Sequence, residues 1–219
     1  MSLSIPSHTT GQGKPAGRIR QKNEVLIIAA AEKEFARHGY KGTSMNAIAL
    51  KADLPKANLH YYFNNKLGLY QAVLANILDQ WDSAFNHLTA DADPALALSN
   101  YIRTKMEFSR TNPDASRVFA MEVISKGPFL NQYLNQDYRD WLSTRTAVFQ
   151  TWIAAGKMEP VDPEHLIFLL WSSTQHYADF GAQICQAQGK SKLTRQDFKT
   201  ATDNLINIIL KGCGLTPPT

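Results

Sequence analysis

Apolar positions in this 219-residue chain recur at helical spacing almost throughout. Near Arg20 a stripe of Val25, Ile28, Ala29, Phe35 and Ala36 begins, and Gly39 ends it, which predicts a helix of about five turns. After Gly42, Thr43 or Ser44 can cap a short helix that buries Met45, Ile48 and Ala49, with Asp53 as the turn residue that follows. Pro55 opens a second short helix, to Tyr62, because proline in a first turn breaks no internal hydrogen bond. That helix buries Leu59 and presents Lys56, Ala57, Asn58, His60 and Tyr61, so the pair forms a helix-turn-helix. Leu67, Tyr70, Val73, Leu74, Ile77, Leu78, Trp81 and Phe85 then mark one long amphipathic helix. Turn signals at 91–94, 112–113, 127–128, 156–163 and 189 divide the remainder into helical segments near 95–111, 114–125, 129–155, 162–187 and 194–212. No stretch alternates with turns at hairpin spacing, so the expected fold is all-α with about nine helices.

Composition changes this picture at the N-terminus. Residues 1–19 are rich in Ser, Thr, Gly, Gln and Pro without periodicity and read as a flexible arm. Gly11, Gly13 and Gly17 superficially suggest a phosphate loop, but their spacing is wrong and no strand precedes them. The net charge of +4 is unevenly placed. Residues 1–70 hold 10 basic and 4 acidic side chains, whereas residues 71–219 hold 13 and 15. A basic head on a slightly acidic body suits a polyanion-binding segment, since Lys and Arg that neutralise phosphates release counterions. A solvated basic face is the plainer alternative.

Other classes are disfavoured. The longest apolar runs, Val25 to Ala31 and Leu166 to Trp171, fall well short of the roughly 20 residues of a membrane span, and no secretory signal pattern is visible. Cys185 and Cys213 form no disulfide or metal pattern, so a reducing, cytoplasmic setting is expected. His165 and His176, eleven residues apart, would sit roughly 16 Å apart along a helix and cannot share an ion. No nucleophile elbow or Cys/His pair is present. The expectation is a binding protein without metal or cofactor, and not an enzyme.

Fifty contiguous residues carry a more specific signal. The stretch Val25 to Leu74 resembles the DNA-binding domain of the TetR family of bacterial transcriptional regulators. The match includes the Ala-Ala pair before Phe35, the run from Gly39 through Thr43 and Ser44, Ile48-Ala49, and Leu59, Tyr61, Tyr62, Phe63 and Lys66. The resemblance implies a DNA-binding head over 20–65, a ligand-binding and dimerisation body over 66–219, and effector-controlled binding to double-stranded operator DNA by a homodimer. Lys56 and Asn58, on the short second helix, are candidates for base edges, lysine for guanine and asparagine for adenine. Thr43, Ser44, His60, Tyr61 and Lys66 match or neighbour positions that commonly approach phosphates, while Tyr62 and Phe63 read as core. Three residues depart from the pattern: Asp53 where glycine is common, Pro55 where a capping Ser or Thr is common, and Leu67 where an acid is frequent. Asp53 could cap the following helix, though it places negative charge near DNA.

The body narrows the resemblance. Tyr101 to Glu122 and Pro160 to Phe180 are similar to the RutR-like, pyrimidine-responsive branch of the family, which implies uracil or thymine sensing and control of pyrimidine and nitrogen metabolism. A helical projection of 162–187 puts Leu166, Leu169, Leu170, Ser173, Tyr177 and Phe180 on one stripe, for core or subunit packing, and Phe168, Trp171, Ser172, Gln175 and Asp179 on another. A flat pyrimidine needs an aromatic platform and fixed donors and acceptors, which Trp171 and Gln175 can supply. Ser172, Tyr177, Asp179 and Trp81 are further ligand candidates; a core role for Trp81 and Trp171 is the plainer alternative. The last two long helices are expected to form the dimer interface. A TetR-like repressor of efflux or lipid-metabolism genes with a larger apolar ligand, and more remotely an enzyme with a helix-turn-helix appendage, remain as alternatives.

Overall fold

The computed structural model describes residues 15–127, 129 and 135–218. Ten helices and no strand occur among them: α1 (Pro15–Gly42), α2 (Met45–Ala52), α3 (Lys56–Phe63), α4 (Lys66–Ser83), α5 (Pro94–Thr111), α6 (Pro113–Ile124), α7 (Gln136–Ala154), α8 (Pro163–Asp179), α9 (Gly181–Ala187) and α10 (Arg195–Gly212). The all-α expectation holds. Helix α1 begins at Pro15, so the end of the expected arm is helical; residues 1–14, with Gly11 and Gly13, lie outside the described residues. No described helix is long and apolar enough to cross a membrane.

The chain divides into two compact units. The first runs to Asp79 and includes Arg117 to the loop after α6. Its core holds Ile27, Ala31, Phe35, Ile48, Leu59, Leu69, Val73, Leu74 and Ile77. The buried line of α1 is therefore Ile27, Ala30, Ala31 and Phe35, and Val25, expected inside, is 63% exposed. The run Val25 to Ala31 is apolar on every side, so it cannot set its own helical phase; Phe35 sets it, and counting back by fours gives Ala31 and Ile27. Gly39, with φ 66° and ψ 174°, breaks α1 near its end.

A buried carboxylate anchors the end of α6 in the same unit. Glu122 accepts from the Tyr70 hydroxyl (3.0 Å) and from the Phe129 backbone N–H (3.0 Å). Around this clasp Phe35, Tyr40 and Phe129 each pack edge to face or tilted against a neighbour, with centroids 4.8–5.6 Å apart around Tyr70, while Phe35 and Tyr40 stack at 6.2 Å. At Gly127 an added Cβ would fall 2.1 Å from a Glu122 carboxylate oxygen, so a side chain there would require the Glu122 carboxylate to move.

The second unit holds Gln80–Ser116 and everything from α7 onward. In it α5 packs against α8 and α10, and α7 against α8. Phe85, Leu98, Tyr101, Ile102, Phe149, Trp152, Ile167, Leu170, Ile206 and Leu210 fill the centre. Asp93 and Asp162 cap α5 and α8, each followed by proline in the first turn. Thr194 and Asp197 form a capping box on α10, where Lys190 and Thr194 hold the Asp197 carboxyl down at about 2.

One expectation for this unit is corrected, and another is divided between core and surface. The segment 162–187 is two helices, because Phe180 (φ −117°, ψ 23°) leaves helical geometry between α8 and α9. The buried line of α8 is Leu166, Ile167, Leu170, Thr174 and Ala178, whereas Leu169 and Phe180 are half exposed. Thr174 and Ala178 were not picked out because a threonine and an alanine carry little hydrophobic signal. The Thr174 hydroxyl hides its polarity by donating to the Leu170 carbonyl at 2.7 Å.

Candidate functional site

In the first unit, α2, α3 and the start of α4 present the residues singled out for DNA. Ser44 caps α2, its hydroxyl accepting from the Ala47 N–H at 3.1 Å. The turn into α3 is made by Asp53, which does not cap α3: it is the C-cap of α2, left-handed at φ 54° and ψ 44°. Pro55 occupies the N-cap of α3 without a side-chain cap. A left-handed residue favours glycine, so Asp53→Gly is expected to stabilise the unit by about 0.5–1 kcal/mol. It should also tighten operator binding by removing a negative charge. Thermal unfolding and fluorescence anisotropy read both effects, and an unchanged melting temperature would count against the strain.

The candidates differ in how committed they already are. Lys56, His60 and Tyr61 are exposed, Tyr61 at 72%, and Asn58 is half-buried on the first turn of α3. The His60 ring meets the Asn64 carbonyl through Nδ1 at 2.9 Å. Nδ1 must therefore donate, and Nε2 can donate to a phosphate only when the ring is protonated. Thr43 is buried at 3% exposure, its hydroxyl 2.8 Å from the Gly39 carbonyl and 3.0 Å from that of Glu34. Lys66 donates from Nζ to the carbonyls of Tyr40 (2.9 Å) and Thr43 (3.0 Å), above the Tyr40 ring. Two of its three ammonium protons thus close the end of α1, and one remains for a phosphate. Tyr62 packs inward, accepting from Asn23 Nδ2 on α1 at 3.2 Å, and Phe63 is half-buried beside it.

In the second unit the ligand candidates fall into two groups. Trp81, on the last turn of α4, has the Lys105 ammonium 4.2 Å from its ring centroid and meets Phe108 edge to face. Lys105, on α5, is 3% exposed. Burial pulls its pKa down to about 7, against the opposing pull of the Asp179 carboxylate on α8. Trp171 lies in the other group, stacked on Trp141 at 6.1 Å and 25° and tilted against Phe168. There Asp82 accepts from Trp141 Nε1 (2.6 Å) and Arg145 Nη2 (2.8 Å), while the Arg145 guanidinium lies over Phe85 and Trp141. The Tyr101 hydroxyl is buried toward the Trp171 indole without a well-formed hydrogen bond, and burial pushes its pKa up.

Gln175 is half-buried on α8 between these groups in sequence. Tyr177 packs against Phe198, and Ser172 is exposed, its hydroxyl on the Leu169 carbonyl at 3.1 Å. Lys105, Arg145, Asp82 and Trp141 were not among the residues read from the sequence. Lys105 did leave a signal, since it stands three and four residues after Ile102 and Tyr101, inside the apolar stripe of α5. The Asp82–Arg145 pair, 63 residues apart, left none. Among the described residues, no cluster of His, Cys, Asp and Glu could hold a metal ion.

Known proteins resemble both units. Residues 27–73 match the family described as "Bacterial regulatory proteins, tetR family", and residues 74–216 match "YcdC-like protein, C-terminal region". The HTH-type transcriptional regulator RutR of Escherichia coli (strain K12) is 39% identical over 204 residues, covering 93% of this chain and 95% of that protein. The HTH-type transcriptional repressor NicS of Pseudomonas putida is 27% identical over 60% of this chain and 61% of its own. Among solved structures, the putative transcriptional regulator SCO4942 from Streptomyces coelicolor superposes with a TM-score of 0.68 at 20% identity, over 89% of this chain and 99% of its own. AibR, solved with isovaleryl coenzyme A and operator DNA, gives 0.66 at 18% identity, over 90% of this chain and all of its own.

Proposed function

The chain belongs to the TetR family of bacterial transcriptional regulators, and on that footing we propose that it is a homodimer whose operator affinity is controlled by uracil, thymine or a close pyrimidine metabolite. It acts in the cytoplasm on genes of pyrimidine or nitrogen metabolism. The observation that carries the effector reading is the buried Lys105 ammonium of the second unit, 4.2 Å from the Trp81 ring centroid and under the electrostatic pull of the half-buried Asp179 carboxylate. A pyrimidine presents carbonyl oxygens and imide N–H groups on one flat edge, matching an ammonium, a carboxylate and the Gln175 carboxamide. A larger apolar effector would leave these groups buried and unanswered, at a cost in binding. The 39% identity to RutR over nearly the whole chain supports the same branch of the family.

In this reading Lys56 and Asn58 face base edges, and Ser44, His60, Tyr61 and Lys66 face phosphates, with Thr43 holding the loop that carries Ser44. The exposed apolar residues Phe168 and Leu169 on α8 and Ile208 on α10 suit a subunit interface. Two heads related by a two-fold axis read half-sites about 34–36 Å apart, or a multiple, so the operator is palindromic. The effector lowers affinity by binding one of two states more tightly.

Isothermal titration with uracil and thymine, alongside operator release by anisotropy, tests the assignment; no heat and no release with either overturns it. For the head, Asn58→Ala is expected to relax base preference, with a cost of about 1–3 kcal/mol on the specific site and little on random duplex. Equal losses on both duplexes would remove its reading role. Lys66→Ala should weaken all duplexes alike and loosen the head, so its melting temperature must be recorded with its affinity.

A further inference from the structure

Lys105 is unusual chemistry for the interior of a helical unit. Its side chain comes from the middle of α5 and is 3% exposed, and among the described residues its ammonium has a ring face at 4.2 Å but no hydrogen-bond acceptor and no carboxylate within 4 Å. An ammonium has three protons to donate, and burial without acceptors disfavours the charged form. The aromatic face of Trp81 returns only part of the lost hydration.

The charged and titratable groups around it are few. From α8, Asp179 favours the protonated lysine. On α5 itself, Tyr101 lies one turn before, turned toward Trp171, and Ser109 one turn after, its hydroxyl committed to the Thr174 carbonyl at 2.9 Å. From α4, Asp82 is held by Trp141 and Arg145 of α7. From α10, Asp203 pairs with Arg103 and Lys199, and Arg195 acts on Glu107, all at the exposed side of α5. Asp179 is thus the one charged group acting on Lys105 among those described.

We infer that Lys105 is the effector's principal donor and that binding is coupled to proton uptake: the neutral amine takes one proton from solvent as a carbonyl oxygen of the effector arrives to accept from the resulting ammonium. The inference rests on the pyrimidine reading of this unit and adds to it a selection rule and a pH dependence. Lys105 selects ligands that bring a carbonyl or anionic oxygen, and rejects apolar or cationic ones. Without ligand the amine lacks acceptors and its pKa is depressed to about 7. With an oxygen beside it the charged form is favoured and the pKa rises. Below about pH 7 the lysine is protonated in both states and affinity is flat. Above that, up to the bound-state pKa, each pH unit weakens binding about tenfold, because one more proton must be taken up.

Titration calorimetry of the full chain with uracil and with thymine, at pH about 6 and about 8 in two buffers of different ionisation enthalpy, measures the uptake directly. The expected result is close to one proton per site at the higher pH and little at the lower. Lys105→Gln keeps a neutral donor and should bind with an affinity independent of pH and with no uptake. Lys105→Met should bind neither ligand measurably. Heat without uptake at pH 8, or uptake that survives in Lys105→Gln, overturns the coupling and leaves the pyrimidine reading intact. No binding of either pyrimidine at any pH overturns both.

Discussion

Lys105→Met is expected to make the protein more stable while destroying its response to effector. Methionine matches the length of the lysine stem and carries no charge, so it fills the same space between Trp81 and the core of the second unit. The ammonium it replaces has its pKa lowered from 10.5 to about 7 by burial, which means the fold opposes its protonated form. Replacing such a group with a well-packed apolar one is expected to add about 2–4 kcal/mol, trimmed because the contact with Trp81 and the attraction to Asp179 are lost as well. The gain depends on pH with a defined sign. Between about pH 7 and 10.5 the unfolded wild-type chain binds more protons than the folded one, so wild-type stability rises with pH across that window. The advantage of the variant is therefore largest below pH 7 and shrinks toward pH 10. Denaturant unfolding of both proteins at several pH values tests this, and a variant less stable than wild type at pH 6 would contradict it.

The opposite result is expected at the other polar group of the same unit. Asp82→Ala should cost about 2–4 kcal/mol, because it strips Arg145 of its carboxylate and Trp141 of its hydrogen-bond acceptor in a largely buried setting. Both side chains of the pair are about one-fifth exposed, which keeps the expected loss below that of a fully buried pair. Adding Arg145→Met should recover much of the loss, since the penalty comes from an unpaired guanidinium more than from the missing attraction. A double variant no more stable than Asp82→Ala would argue that the pair itself contributes the stability. Chemical denaturation of the three proteins separates the cases.

What could be read beforehand differed by kind of residue. The helix-turn-helix was legible because short-range spacing, a capping Ser44 and a first-turn Pro55 act locally. The phase of α1 was not, since seven apolar residues in a row offer no polar side to orient them. The break at Phe180 was hidden for a related reason: nothing in Tyr177 to Ala182 is a strong helix breaker except Gly181, which sits in the first turn of α9. In the head, Lys56 and Tyr61 are exposed, as residues that reach for DNA need to be, but Thr43 and Lys66 also serve the fold, and only the carbonyls they meet reveal that. In the body, Trp81 and Asp179 both act on Lys105, whose place in the apolar stripe of α5 was the one sign in the sequence that its charge is buried.

The Glu122 clasp has a consequence for how this chain can drift. The carboxylate that receives Tyr70 and the Phe129 N–H lies where a side chain at position 127 would start. Positions 122 and 127 are therefore not independent letters. Any residue other than glycine at 127 requires Glu122 to move or shorten, and a shorter acid there would release Tyr70. Across related chains the two positions are expected to covary, with 70 as the third member of the set. Substitutions that look mild in isolation will be tolerated only as compensated combinations.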